Sequence, residues 1–260
     1  MYKSTTIKLM MMGLVYASSS CVQAETFTTL EAGYIKFKDF QAVSSNEDMI
    51  SESAYYQSIT AGLYATLPNK RTALLGILGA QNVAYEQTAV LDNQTASFQT
   101  GVYQLFQQGR SLLWLVGIRQ SSFEEEMRDD LIGSTSLRYT HPIAVNRKLH
   151  FQAFYEQGFE ETINGQYSGY GLSTTLSWAP TLKWNIDLGL SYGINSYALR
   201  ERLVTSQTVN QDTAGAQLSL SRDVTSWLYA TSVIAHRSTR SETIESVSGE
   251  SATVGLGVNF

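Results

Sequence analysis

The chain has 260 residues, of which 43% are hydrophobic and 16% are charged, and its net charge is −5 at pH 7. An acidic balance argues against nucleic acid as a partner, because phosphate backbones attract basic surfaces. Cys21 is the single cysteine, so the sequence excludes an intrachain disulfide and a thiolate zinc site.

Residues 1–24 have the features of a secretory signal. Lys3 and Lys8 charge the start, a short apolar run follows at residues 9–17, and residues 22–24 (Val-Gln-Ala) resemble a cleavage site. Cleavage there predicts one mature domain of residues 25–260 and removes Cys21. The alternative, a lipoprotein modified at Cys21, is disfavoured because three serines precede it in place of a leucine-rich motif.

The first half of the chain contains one regular strand and one ambiguous region. Residues 58–67 alternate apolar and small or polar side chains, which is the period of a β-strand with two different faces. Residues 71–85 instead carry leucines on both faces, and residues 95–106 change phase near Val102 and Tyr103. A bulge would explain the phase change, and packing against the contents of a barrel would explain two apolar faces. The sequence leaves this register open.

The second half alternates with few interruptions. Three segments, residues 169–178, 184–192 and 214–220, place large apolar side chains on one face and Gly, Ser, Thr or Asn on the other. The last segment repeats the pattern with Ala252, Val254, Leu256, Val258 and Phe260 on its apolar face. An apolar outer face and a small polar inner face are typical of a barrel that is surrounded by lipid.

The connections alternate between short and long. Five short turns are predicted near residues 68–70, 107–110, 145–148, 179–182 and 223–226. Six longer polar stretches are predicted as loops near residues 39–53, 86–96, 120–130, 157–167, 194–212 and 238–249. Eleven connections join twelve strands, and an even number of strands puts both chain ends on one side. A soluble β-sandwich would also alternate, but it does not require this asymmetry of connections.

Aromatic residues cluster at predicted strand ends. Trp178 and Trp184 flank one short turn, while Trp114 and Trp227 follow two others. Together with Phe260 these residues are predicted to lie at the membrane interface, where amphipathic rings are enriched. Tyr155, Tyr170 and Tyr192 are predicted to form the opposite belt.

These features together resemble Gram-negative outer-membrane β-barrel proteins. The signal, the twelve alternating strands and the final Gly-Leu-Gly-Val-Asn-Phe of residues 255–260 carry the resemblance. The strand number is most similar to that of autotransporter translocator barrels, although residues 25–29 leave no room for a passenger, so the chain resembles a solitary barrel of that type. The resemblance implies an outer-membrane location with periplasmic termini. It also implies contact with lipid and lipopolysaccharide, and assembly by the barrel-assembly machinery through the last strand.

The predicted lumen carries charges. The alternation turns small polar residues inward after residue 168, and larger groups inward before it, among them Tyr56, Tyr64, Arg119, Arg138, Gln152, Phe154 and Glu156. Arg119, Arg138, Glu156 and Glu31 are therefore candidate constriction residues. In one alternative, Arg138, Glu156 and Glu31 pair with one another and close the barrel; in the other, they line a narrow pore.

No catalytic or metal-binding arrangement stands out in the sequence. His141, His150 and His236 are scattered, and none belongs to a motif for a nucleophile or a metal. The leading function is therefore a passive narrow channel for small hydrophilic solutes, with no enzyme activity and no cofactor. The rival is a non-conducting structural or adhesin-like barrel that acts through its loops.

Overall fold

The computed structural model describes residues 23–40, 50–86, 92–123, 130–159, 166–200, 206–241 and 247–259. Within these ranges the chain forms twelve β-strands: β1 Gln23–Phe40, β2 Ile50–Thr66, β3 Thr72–Tyr85, β4 Asn93–Leu105, β5 Ser111–Phe123, β6 Asp130–Ala144, β7 Arg147–Gly158, β8 Gln166–Thr181, β9 Trp184–Arg200, β10 Ser206–Asp223, β11 Leu228–Ser241 and β12 Val247–Asn259. This part of the chain contains no helix long and apolar enough to cross a membrane.

The strands form one closed antiparallel barrel. Each strand pairs with its neighbours in sequence, and β1 closes the barrel by pairing with β12 from Phe27 opposite Asn259 to Lys38 opposite Ser248. Closure leaves no free strand edge, so the ladder satisfies the backbone donors and acceptors without water. The prediction of a twelve-stranded all-β barrel is confirmed.

The five predicted short turns are present at one end, which we call the turn end. They connect β2 to β3, β4 to β5, β6 to β7, β8 to β9 and β10 to β11. Residues 107–109 form a short 3-10 turn in which Gln108 and Gly109 have φ angles of 61° and 72°. The opposite end, where the longer connections lie, is called the loop end.

The strands extend further toward the loop end than the sequence predicted. The stretch 194–212 was expected to be a loop, yet β9 continues to Arg200 and pairs there with Ser206 of β10. Ser196 donates a side-chain hydrogen bond to Asn210 across this extension, over 2.8 Å. The loop interpretation was wrong for these residues because polar residues can continue a ladder whose outer face no longer needs to be apolar.

The two faces of the sheet differ as expected for a barrel in lipid. Leu188 on β9 and Leu256 on β12 point outward and are 53% and 55% exposed, and Val254 is 65% exposed. Gly255 and Gly257 alternate with them and are buried against the inner wall. The predicted faces of β9 and β12 are therefore correct within the described residues.

The register that the sequence left open is continuous. β4 pairs with β3 from Asn93 to Gln104 and with β5 from Asn93 to Leu105 without a shift, so no bulge lies at Val102 or Tyr103. Val102 faces outward and Tyr103 faces inward, while Leu75 and Ile77 of β3 also face the lumen. β3 therefore carries apolar side chains on both its outer and its inner face, as the sequence indicated. Register shifts occur instead between Phe37 and Phe40, near Pro142 and near Pro180. At the two prolines a missing backbone donor is tolerated.

Candidate functional site

The closed sheet encloses a lumen, and the strand register sets its lining. A single row of inward residues runs from strand to strand around most of the barrel: Tyr64, Leu75, Gly101, Leu115, Ser136, Phe154, Gly171, Gly193 and Thr213. The row changes from apolar residues on β2 to β5 to small or polar residues on β8 to β10. The lumen therefore has two chemically different walls.

An ion pair lies toward the loop end. Arg119 of β5 and Glu156 of β7 approach to 3.7 Å between Nη2 and Oε2, and their side chains are 44% and 22% exposed. The Tyr167 hydroxyl donates to the same carboxylate oxygen over 2.9 Å. Glu156 is thus held from two sides, which fixes a charged group on the inner wall.

A second carboxylate lies near this pair. The Tyr56 hydroxyl donates to Glu31 Oε2 over 2.6 Å and lies 3.1 Å from the hydroxyl of Ser58. A polar cavity of about 350 Å³ is lined by Glu31, Tyr56, Arg119 and Glu156 among others. Three of the four predicted constriction residues therefore line one cavity.

Arg138 lines a different part of the lumen, closer to the turn end. Its Nε and Nη2 both donate to Gln152 Oε1, over 2.9 and 2.7 Å. A cavity of about 590 Å³ lies beside it and is also lined by His150, Asp187 and Arg237. Sequence reasoning did not single out Asp187 or Arg237. Asp187 lies on the inward phase of a strand whose alternation was recognised, whereas Arg237 lies on β11, where no alternation was recognised.

The expected closing of the lumen by Arg138, Glu156 and Glu31 does not describe the observed contacts. Arg138 lies opposite Gln152 on β7, and Glu156 lies four residues further along the same strand, opposite Ser134. Glu156 therefore contacts Arg119, while Glu31 contacts Tyr56. Arg138, Glu156 and Glu31 all lie on the predicted inner face, but the strand register gives each of them a different partner.

Glycines on the inner wall make room for aromatic rings. A side chain at Gly257 would collide with the Tyr229 ring, whose hydroxyl lies 2.6 Å from Thr29 Oγ1. A side chain at Gly171 would likewise collide with Phe154. Glycine at these two positions therefore leaves the space that the rings occupy.

His150 lies on the inner wall between two hydroxyl groups. His150 lies 2.9 Å from Thr140 Oγ1 through Nδ1 and 3.0 Å from Ser177 Oγ through Nε2. The partner of Nδ1 is a hydroxyl rather than the carboxylate that orients the histidine of a catalytic triad. No group of three His, Cys, Asp or Glu in the described ranges could hold a metal ion.

The four tryptophans that were predicted to lie at the membrane interface are near the turn end of the barrel. Trp114 is 51% exposed near the turn end of β5, and Trp227 is 53% exposed in the last short turn. Arg147 lies 5.7 Å from the Trp178 ring centroid and Arg222 lies 5.1 Å from that of Trp184.

Three tyrosines were predicted to form a second belt, at the end opposite to the tryptophans. Tyr155, Tyr170 and Tyr192 are exposed on the outer face toward the loop end. Phe260, which was assigned to the interface from the sequence, lies outside the described residues.

No protein-family model matches the chain, and no curated protein matches it in sequence. Solved structures do share its fold. The COG4313 outer-membrane channel from Pseudomonas putida F1 has a TM-score of 0.66 at 9% identity, with 93% of this chain and 98% of that chain covered. The deltaS2 mutant of the TodX monoaromatic hydrocarbon channel has a TM-score of 0.52 at 8% identity, with 91% and 90% covered. The translocator domain of the autotransporter NalP from Neisseria meningitidis has a TM-score of 0.45 at 13% identity, with 99% and 98% covered.

Sequence identities this low bear on the fold alone. The closed barrel and its similarity to solved outer-membrane channels agree with the resemblance drawn from the sequence. The chain therefore has the fold of a twelve-stranded outer-membrane β-barrel, and what passes through or binds to it has to be argued from its own lumen.

Proposed function

We propose that this barrel is a passive, narrow channel for small hydrophilic solutes in the outer membrane. The observation that carries the proposal is that charged side chains face inward and remain accessible. The Arg119 side chain is 44% exposed, and Arg138 is also exposed, although both lie on the inner wall. An ionised group facing a dry interior would be costly, so this accessibility supports a lumen that water enters.

The size of the barrel fits this function. Eight-stranded barrels are filled by side chains, and barrels of sixteen or more strands leave an open aqueous channel. Twelve strands lie between these limits, and the two polar cavities of about 350 and 590 Å³ occupy different levels of the lumen. We infer that Glu31, Arg119 and Glu156 form a constriction toward the loop end, and that Arg138 forms one toward the turn end. Rings of fixed charge at such points set the ion preference of a channel.

The proposal requires neither a cofactor nor covalent chemistry. We also propose that residues 1–24 are a removed signal and that residues 25–260 form the barrel, with both termini in the periplasm. The mature chain would then begin at the third residue of β1. Lipid and lipopolysaccharide then surround the outer face. The last strand with Phe260 is the segment that the barrel-assembly machinery would bind. The exposed aromatics Trp114, Trp178 and Trp227, with the partly exposed Trp184, support a membrane interface at the turn end.

Single-channel recording of the refolded protein in a planar bilayer tests the function. We expect discrete conductance steps from the wild type. Ser191→Trp introduces a large ring beside the 590 Å³ cavity and should lower the conductance. Leu188→Trp lies on the outer face of the same strand and should leave the conductance unchanged.

The folded state of each sample is established by heat-modifiable mobility on a gel. A folded wild-type protein that is silent in bilayers would refute the channel. It would favour the rival function, a non-conducting structural or surface-interaction barrel that resembles a solitary autotransporter-type barrel.

A further inference from the structure

The inner wall changes character abruptly between β5 and β6. Inward residues of β3 to β5 form what we call the apolar strip: Leu75, Ile77, Tyr103, Leu113 and Leu115. Leu113 is the direct cross-strand partner of Arg138, and Leu115 is the partner of Ser136. Direct partners on one face of an antiparallel pair have Cβ atoms about 5 Å apart. The apolar strip therefore ends beside the residue that carries a guanidinium group.

The strip forms a continuous surface on the inner wall. Leu75 lies opposite Gly101, and Gly101 lies opposite Leu115. A side chain at Gly101 would collide with the Leu115 methyl group, so Leu115 covers the gap that the glycine leaves. The Tyr103 ring lies at one end of the strip, edge-on to Tyr64 with ring centroids 6.0 Å apart. An apolar ring of a solute would find a matching surface here.

The charge beyond the border is only partly satisfied. Arg138 donates two hydrogen bonds to the neutral amide oxygen of Gln152, which leaves Nη1 free to bind another acceptor. In the described part of the chain neither Arg138 nor Arg237 forms an ion pair with a carboxylate, in contrast to Arg119. Both line the cavity of about 590 Å³, together with the carboxylate of Asp187 and a wall of hydroxyl and amide groups. The cavity gives room for an anionic group beside Arg138.

We propose that the β5–β6 border binds a small carboxylate that carries an apolar ring. The ring lies on Tyr103, Leu113 and Leu115, and the carboxylate accepts hydrogen bonds from the free side of the Arg138 guanidinium. Arginine suits this role because its planar fork matches a carboxylate in two-point contact. The inference rests on the proposed channel function and names the class of solute that the lumen would take up.

The ring and the carboxylate of the solute each contact a different part of the border. An inorganic or short-chain anion would bind Arg138 and leave the apolar strip in contact with water. A neutral aromatic would use the strip and leave the guanidinium without an anionic partner. A compound with both groups uses both surfaces at once, so it should bind better than either of its parts.

Calorimetric titration of the folded, detergent-solubilised protein tests this directly. The probes are sodium benzoate, sodium acetate as the charge without the ring, and benzyl alcohol as the ring without the charge. We expect benzoate to bind at least about tenfold more tightly than either of the others. Arg138→Gln should weaken benzoate binding by about tenfold and leave the weak binding of benzyl alcohol unchanged. Leu115→Asn should lower the affinity for benzoate toward the affinity for acetate.

Arg222→Gln is the matched control, because it removes one positive charge near the Trp184 ring on the outer face. Equal binding of benzoate and acetate, or benzoate binding that survives Arg138→Gln in a folded protein, would overturn the inference. Current block by benzoate in planar bilayers separates the two proposals. A wild type that conducts but does not bind benzoate refutes only the ligand class. A silent wild type that binds benzoate in an Arg138-dependent manner refutes only the channel.

Discussion

An arginine on the outer face of the barrel should destabilise it according to its depth, and β9 provides the clearest case. Trp184 and Tyr192 face outward on this strand and are eight residues apart, with Leu188 midway between them. At about 3.3 Å per residue and a tilt of about 40°, the two rings are about 20 Å apart along the barrel axis. Leu188 therefore lies close to the middle of the hydrophobic layer, where it is 53% exposed.

We expect Leu188→Arg to lower the free energy of unfolding by about 2–4 kcal/mol. The same change at Ile194, further along the outer face and beyond Tyr192, should cost about 0–1 kcal/mol because the arginine reaches the interface. Ser191→Arg points into the lumen and should cost less than Leu188→Arg, since the side chain remains in contact with water.

Urea titration of the protein folded in phosphatidylcholine vesicles, followed by tryptophan fluorescence, measures all three variants. A common slope of free energy against urea is required for the comparison. If Ser191→Arg destabilises as much as Leu188→Arg, or if Ile194→Arg is the most harmful, then the assigned faces of β9 or the position of the bilayer is wrong.

Three further outcomes follow from the topology and the lumen. A cysteine at Glu86, at the loop end, should react with an impermeant thiol reagent on intact cells, whereas one at Val145, in a short turn, should react only after the outer membrane is permeabilised; the reverse pattern would invert the barrel. Arg138→Ala should shift the reversal potential in a salt gradient toward cation preference, because one fixed positive charge is removed, and an unchanged potential would exclude Arg138 from the conduction path. Glu156→Gln should shift it toward anions, since Arg119 loses the carboxylate that lies 3.7 Å away; a shift toward cations would contradict the assigned ion pair.

The extent of the strands illustrates a limit of the sequence pattern. Strand ends were expected where the apolar series stopped, as at residue 194, but β9 and β10 continue their ladder to Arg200 and Ser206. The apolar series reports the thickness of the hydrophobic layer, whereas hydrogen bonding can continue in water beyond it. A change in outer-face composition therefore marks the membrane boundary and not the end of the strand.

The candidate site, like the strand ends, could be predicted only in part from the sequence. Which way Arg119, Arg138, Glu31 and Glu156 point follows from alternation along each strand, which is a local property of extended backbone, and the same alternation predicted the faces of β9 and β12. Which of them meet depends on the stagger between neighbouring strands, and a shift of one pairing position changes every contact across a strand pair. For this reason the sequence was sufficient to predict a barrel with inward charges. The pairing of Glu156 with Arg119, and the position of Arg138 opposite Leu113 of the apolar strip, required the register of the closed sheet.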